Sequence, residues 1–212
     1  AGLNAMSENM LCGSTSVRDA VVTNNKPSTA SDFTTTTIAN KNNSTVSGLS
    51  IPHPTTTASL SNSSLQAQVD HWASYGCIEP GVASSITAAI TNPTTNLSID
   101  NKIFVLLGAT SALGPYKTLE SLGATIACIS RNGPKLDALV SNATNSNSTL
   151  LLPTSPDGKT GADLLSDAPA IARWIASLDP SKTLVLTNLV YLDGEKNVRA
   201  STAIDAVTEY VL

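Results

Sequence analysis

From residue 103 onward, short uninterrupted apolar runs alternate with segments of helical period, and this alternation restricts the fold more than any other feature of the chain. Residues 103–107, 125–130, 149–152 and 183–190 are the runs, each bounded by turn-forming residues. Such a run is the mark of a strand covered on both faces. Between the runs the spacing becomes helical. Leu119 and Leu122 share a face, and Pro134 opens a segment carrying Leu136, Leu139 and Val140. Proline is tolerated there because the first helical residue has no intrahelical use for its N–H. Ser166 and Asp167 read as the cap of a helix with Ile171, Trp174, Ile175 and Leu178 on one side, and Ile204, Val207 and Val211 mark a last helix. Four strand–helix units in succession imply a parallel sheet with right-handed crossovers. The expected fold class is α/β: a three-layer, doubly wound parallel sheet in the order 3-2-1-4, incomplete after its fourth strand.

The first part of the chain differs. Ser, Thr and Asn dominate from Cys12 to Ser64, with tracts such as Thr34, Thr35, Thr36 and Thr37, and the apolar residues follow no period. A segment of that composition buries too little apolar surface to offset its ordering entropy, so 1–64 is expected to be disordered. At Leu65 the composition shifts. Leu65, Val69, Trp72 and Gly76 follow helical spacing, and Val82, Ile86, Ala89 and Ile90 suggest a second short helix, making 65–100 a helical lead-in. His71, beside Trp72, reads as a surface or packing residue.

Charge narrows the function classes. The chain has 12 Lys and Arg against 16 Asp and Glu, a net charge of −4. With no basic run, it offers no face for nucleic-acid phosphates or an anionic membrane surface. No apolar run reaches the length of a membrane span, and no basic-then-apolar signal opens the sequence. Cys12, Cys77 and Cys128 are widely separated, which suits neither a disulfide framework nor a zinc site, and a reduced compartment is the default expectation. Six Asn-x-Ser/Thr sequons, at Asn42, Asn43, Asn62, Asn96, Asn142 and Asn147, carry little weight where these residues are so abundant.

The chemistry concentrates in the first strand–helix turn, Leu107-Gly108-Ala109-Thr110-Ser111-Ala112-Leu113-Gly114. Glycine at 108 permits a tight turn and glycine at 114 a close helix–sheet approach. Amides at the helix start, with hydroxyls of Thr110 and Ser111, can hold a pyrophosphate. The second strand ends Ser130-Arg131-Asn132, with Arg131 23 positions beyond Gly108, where a ribose-reading residue belongs. A guanidinium there suits the 2′-phosphate of NADP, whereas NAD calls for an acid. The turn resembles the TGxxxGxG fingerprint of the short-chain dehydrogenase/reductase family, with Leu107 in place of Thr and Ala112 in place of the middle Gly. The Ser-Arg-Asn ending is similar to that of the family's NADP-preferring members. This resemblance implies that 101–212 is an NAD(P)-binding Rossmann-like domain. It implies a dinucleotide partner and a cofactor-binding set of Gly108, Thr110, Ser111, Leu113, Gly114, Ser130 and Arg131. Asp163 and Leu164 are added as the adenine-facing pair, and Asn188 as the remnant of the family's Asn-Asn-Ala-Gly.

The family's acid–base pair, Tyr-x-x-x-Lys, has no counterpart. Tyr191 and Lys196 are five apart and read as loop residues, and the adjacent Tyr116 and Lys117 cannot make the pairing. The fourth strand, apolar on both faces, is expected to need a cover. A continuation beyond Leu212 or an oligomer would supply it. Three readings follow: an NADP-dependent oxidoreductase or its cofactor half, a non-catalytic nucleotide-sensing or interaction module, and an NADP-using epimerase or dehydratase on the same fold.

Overall fold

The computed structural model describes residues 2–23, 32–39, 48–53, 55–97, 99–112, 114–144, 146 and 148–212; Leu113 of the expected site lies outside them, as do the sequons at Asn42, Asn43 and Asn147. The chain begins with α1 (Gly2–Asn9), a hairpin of β1 (Leu11–Cys12) and β2 (Thr15–Ser16), and a π-helical turn, Asp19–Thr23. Strand β3 (Thr34–Ala39) follows, then a hairpin of β4 (Ser50–Pro52) and β5 (Ser59–Ser61), and helices α2 (Asn62–Ser74), α3 (Pro80–Thr91) and α4 (Pro93–Asn96). The alternating region is β6 (Lys102–Leu107), α5 (Tyr116–Ser121), β7 (Thr125–Ile129), α6 (Pro134–Ala143), β8 (Thr149–Thr154), α7 (Ala168–Ala176), β9 (Thr183–Asn188) and α8 (Glu195–Val211).

The main sheet runs β3-β8-β7-β6-β9, parallel except for β3. Its four parallel strands thus stand in the order 3-2-1-4. Alternation along β6 sends Ile103, Val105 and Leu107 to one face, where Ile171, Trp174 and Ile175 of α7 and Ile204 and Val207 of α8 cover them. Leu106 and Phe104 face the other way, toward Leu119 of α5 and Leu136 and Leu139 of α6. Both faces are therefore dry, as the unbroken apolar runs require. A separate small core forms where α2 and α3 pack Leu65, Val69, Trp72, Ile86 and Ile90 around Leu60 of β5. Among the described residues, no helix is long and apolar enough to cross a membrane.

Within 1–64, expected to be disordered, the described residues include short helices and strands. Thr34–Ala39 adds to the free edge of β8 as an antiparallel strand, in register from Thr34 opposite Thr154 to Ala39 opposite Thr149. Threonine is β-branched and suits a pleated surface, so a tract without apolar period still forms a strand once an edge awaits it. Side chains fasten it. Trp174 Nε1 donates to Thr35 Oγ1 at 3.0 Å, Arg173 pairs with Asp32 at 2.6 Å, and the hydroxyls of Thr154 and Thr36 bond at 2.7 Å. Nearer the N-terminus, Val21 is fully buried against α7 and α8.

Candidate functional site

Four loops leave the carboxyl ends of the parallel strands, and together they enclose a cleft of about 560 Å³. Its walls are the turn after β6 (Gly108, Thr110, Ser111, Ala112), the end of β7 (Ile129, Ser130, Arg131), the loop after β8 (Ala162 to Leu165) and the loop after β9 (Leu189 to Leu192). The chain leaves β6 toward β7 on one side and returns to β9 on the other. The cleft lies at that change of direction, the usual ligand position in an open parallel sheet.

Of the expected residues, Gly108, Thr110, Ser111, Ser130, Arg131, Asp163 and Leu164 line the cleft; Gly114 and Asn188 stand outside its lining. Asn188 accepts the Val190 N–H at 3.1 Å through Oδ1, which shapes the loop after β9. Gly114 has a packing role. A β-carbon there would meet Leu189 Cδ1 at 3.0 Å and the Ser111 carbonyl at 3.2 Å. Gly108 combines both needs of a glycine: φ is +92°, and a β-carbon would lie 3.0 Å from Val190 Cγ2 and 3.2 Å from the main chain of Leu189 and Val190. The glycines bring the β9 loop against the β6 turn.

The turn itself differs from the expected helix-start cradle. Helix α5 begins only at Tyr116 and is six residues long. The amides of Gly108 and Ala109 both donate to the Ile129 carbonyl, Ser111 to Gly108, and Gly114 to Ser111. Donors expected to face a pyrophosphate are thus used inside the turn, and those of Thr110 and Ala112 remain without a backbone partner among the described residues. The hydroxyls of Thr110 and Ser130 bond each other at 2.9 Å. One proton serves that bond, so the pair keeps a second for an acceptor in the cleft.

Asp163 is committed to its own loop. Its carboxylate accepts the Leu165 N–H at 3.0 Å, and its N–H donates to the Asp167 carboxylate at 2.8 Å. Asp167, not Ser166, is the residue before α7, and its side chain turns back to Asp163 instead of capping the helix. The loop is held over β7 by main-chain bonds from Gly161 to Pro153 and from Ala162 to Ser130, both 2.8 Å.

Three cations line the cleft, Arg131, Lys135 and Lys196, against the single carboxylate of Asp163. None of the three has a hydrogen-bond or ion-pair partner among the described residues. In a chain of net charge −4 this is a local reversal of sign. Lys135 and Lys196 were missed as site residues. Lys135 directly follows Pro134 at the start of α6, close in sequence to Arg131, which was the available signal. Lys196 was read as a loop residue but lies in the first turn of α8, and both it and the 80% exposed Tyr191 line the cleft. No protein-family model, curated protein or solved structure matches this chain.

Proposed function

We propose that the cleft binds an adenine dinucleotide, NADP in preference to NAD, and that the chain is an oxidoreductase of the short-chain dehydrogenase/reductase type, or the cofactor-binding part of one, built on a Rossmann-like sheet. The observation that carries this reading is the meeting of the Gly108 turn, Arg131 and the Ala162–Leu165 loop on one cleft at the carboxyl ends of strands ordered 3-2-1-4. The residues suit the group. Arg131 and Lys135 supply positive charge where a 2′-phosphate belongs. The Thr110–Ser130 pair and Ser111 offer hydroxyls to a pyrophosphate, and Ala162 and Leu164 give an apolar seat for a base. Hydride exchange with a carbonyl or an alcohol is the chemistry such a cofactor supplies when bound.

The second reading, a nucleotide-sensing module without catalysis, is favoured by one specific observation. The amides of the Gly108 turn are largely self-satisfied, which leaves few of them for the fixed cofactor cradle of an enzyme. Both readings require dinucleotide binding. Titration of the purified chain with NADPH, followed by nicotinamide fluorescence and thermal shift, tests it directly. Saturable binding that is weaker for NADH is expected. A flat titration with both dinucleotides would remove the proposal.

A further inference from the structure

The sheet has two edges, and the chain treats them differently. At one, polar β3 covers β8; at the other, β9 has β6 on its inner side and no strand on its outer side among the described residues. The amides of Thr183 and Leu189 donate to the carbonyls of Asn101 and Leu107, each at 2.8 Å. Odd-numbered residues of β9 therefore turn their main-chain groups toward β6. Strand alternation then points the N–H and C=O of Leu184 and Leu186 outward. Leu184 and Leu186 pair with Ile103 and Val105, and their side chains pack at the margin of the core under α7 and α8. Val185, opposite Phe104, lies on the other face.

Thr183-Leu184-Val185-Leu186-Thr187 reads the same in both directions. It carries no charge and no proline, the devices by which proteins blunt an exposed edge. We propose that this edge docks a second copy of the same chain, strand against strand and antiparallel, about a two-fold axis through Val185. Main-chain phase and sequence select the same centre. Val185, its polar groups turned inward, takes the non-hydrogen-bonded position opposite its own copy. Leu184 of each chain faces Leu186 of the other, each leucine giving one main-chain hydrogen bond and accepting one. Thr183 faces Thr187, and Lys182 faces Asn188, so no charge meets a like charge. A two-fold contact must be self-complementary, and a palindromic neutral strand meets that condition along its whole length. Antiparallel pairing puts the two clefts on opposite margins of the joined sheet, leaving both open. The inference is independent of what the cleft binds.

The test is the solution mass of the full chain by light scattering over a dilution series. Twice the 21.8 kDa of one chain is expected. Val185→Lys opposes two ammonium groups on the axis, and the mass should halve with the circular dichroism unchanged. In a background of Cys12→Ser and Cys77→Ser, mild oxidation should link Val185→Cys into a covalent dimer. Non-hydrogen-bonded partners stand about 4.5 Å apart at Cα, within disulfide range. Thr183→Cys, whose counterpart is Thr187 of the other copy, should not link. A wild-type monomer at every concentration would overturn the proposal. So would a dimer indifferent to a folded Val185→Lys, or linkage of Thr183→Cys as readily as Val185→Cys. If Val185→Lys does not fold, the two cysteine variants decide.

Discussion

Gly161→Ala is the substitution that most directly probes how the cleft is held together. Gly161 has φ of +99°, and a β-carbon there would stand 2.7 Å from the Ser130 carbonyl, 2.9 Å from the Asn132 nitrogen and 2.9 Å from Leu136 Cδ2. Two of those atoms are main chain and have no rotamer to yield. The loop must move by about 0.7 Å to restore ordinary contact, and the bonds from Gly161 to Pro153 and Ala162 to Ser130 stretch with it. Positive φ on a residue with a β-carbon costs about 1–2 kcal/mol. Each weakened bond adds about 1 kcal/mol, and the stiffer unfolded chain returns about 0.5–1. The net loss is about 2–4 kcal/mol, or a drop of about 4–16 °C in Tm for a chain of this size. Gly158→Ala is the matched control. It lies in the same loop with φ of +83°, but no atom comes within 4 Å of its added carbon. It carries the conformational cost alone, about 1 kcal/mol. Melting both variants by circular dichroism isolates the steric contact. Equal Tm values, or a Gly161→Ala that melts with the wild type, would refute the claim that this loop is clamped across the end of β7.

Arg131→Ala should weaken NADPH binding about 10–100-fold, the worth of a charge-assisted bond to phosphate, while NADH binding changes little. Equal losses for the two dinucleotides in parallel titrations would show that the guanidinium does not read the 2′-phosphate. Thr35→Val removes the acceptor of the Trp174 indole N–H without lowering strand propensity. It should destabilise the chain by about 1–3 kcal/mol in urea unfolding and speed amide exchange over 34–39, whereas a neutral result would mean that β3 is not docked through this bond. Cys128 is fully buried, and burial pushes its thiol from 9.0 up to about 12. The native state then keeps a proton that the unfolded chain releases, so stability is intact below pH 9 and falls as pH rises toward 12. Urea midpoints over that range should decline less steeply in Cys128→Ala, and an unchanged slope would contradict the assignment.

The parallel part of the fold was legible because burial on both faces writes itself into the sequence as unbroken apolar runs. Lys102–Leu107 and Thr125–Ile129 could be read without knowing their neighbours. Strand β3 could not, because four threonines and one isoleucine carry no period and acquire a partner only when the edge of β8 exists. The same division runs through the site. Arg131 was legible because it closely follows an apolar strand. Gly161 lies in a loop whose meaning depends on Ser130, Asn132 and Leu136, and sequence distance hides such contacts. Lys196 was hidden by a misplaced boundary, since α8 begins at Glu195 and carries it into the cleft wall.

Gly108 and Gly114 separate two reasons for a glycine that a short motif cannot distinguish. The expected reason is close approach of a phosphate to bare backbone. The observed contacts are with Leu189 and Val190, so both glycines let the loop after β9 lie against the turn after β6. That contact carries Tyr191, Leu192 and Lys196 to the cleft. Replacing either glycine therefore acts on the cleft through the β9 loop, even before any ligand is considered. With most of the turn amides already bonded, the positive character of the site rests on Arg131, Lys135 and Lys196, which come from three different elements. Side-chain charges on long stems are more easily screened and reoriented than fixed amides at a helix start. The positive charge of the cleft is thus a property of how the strands β7 and β9 and their following helices converge, more than of the glycine turn.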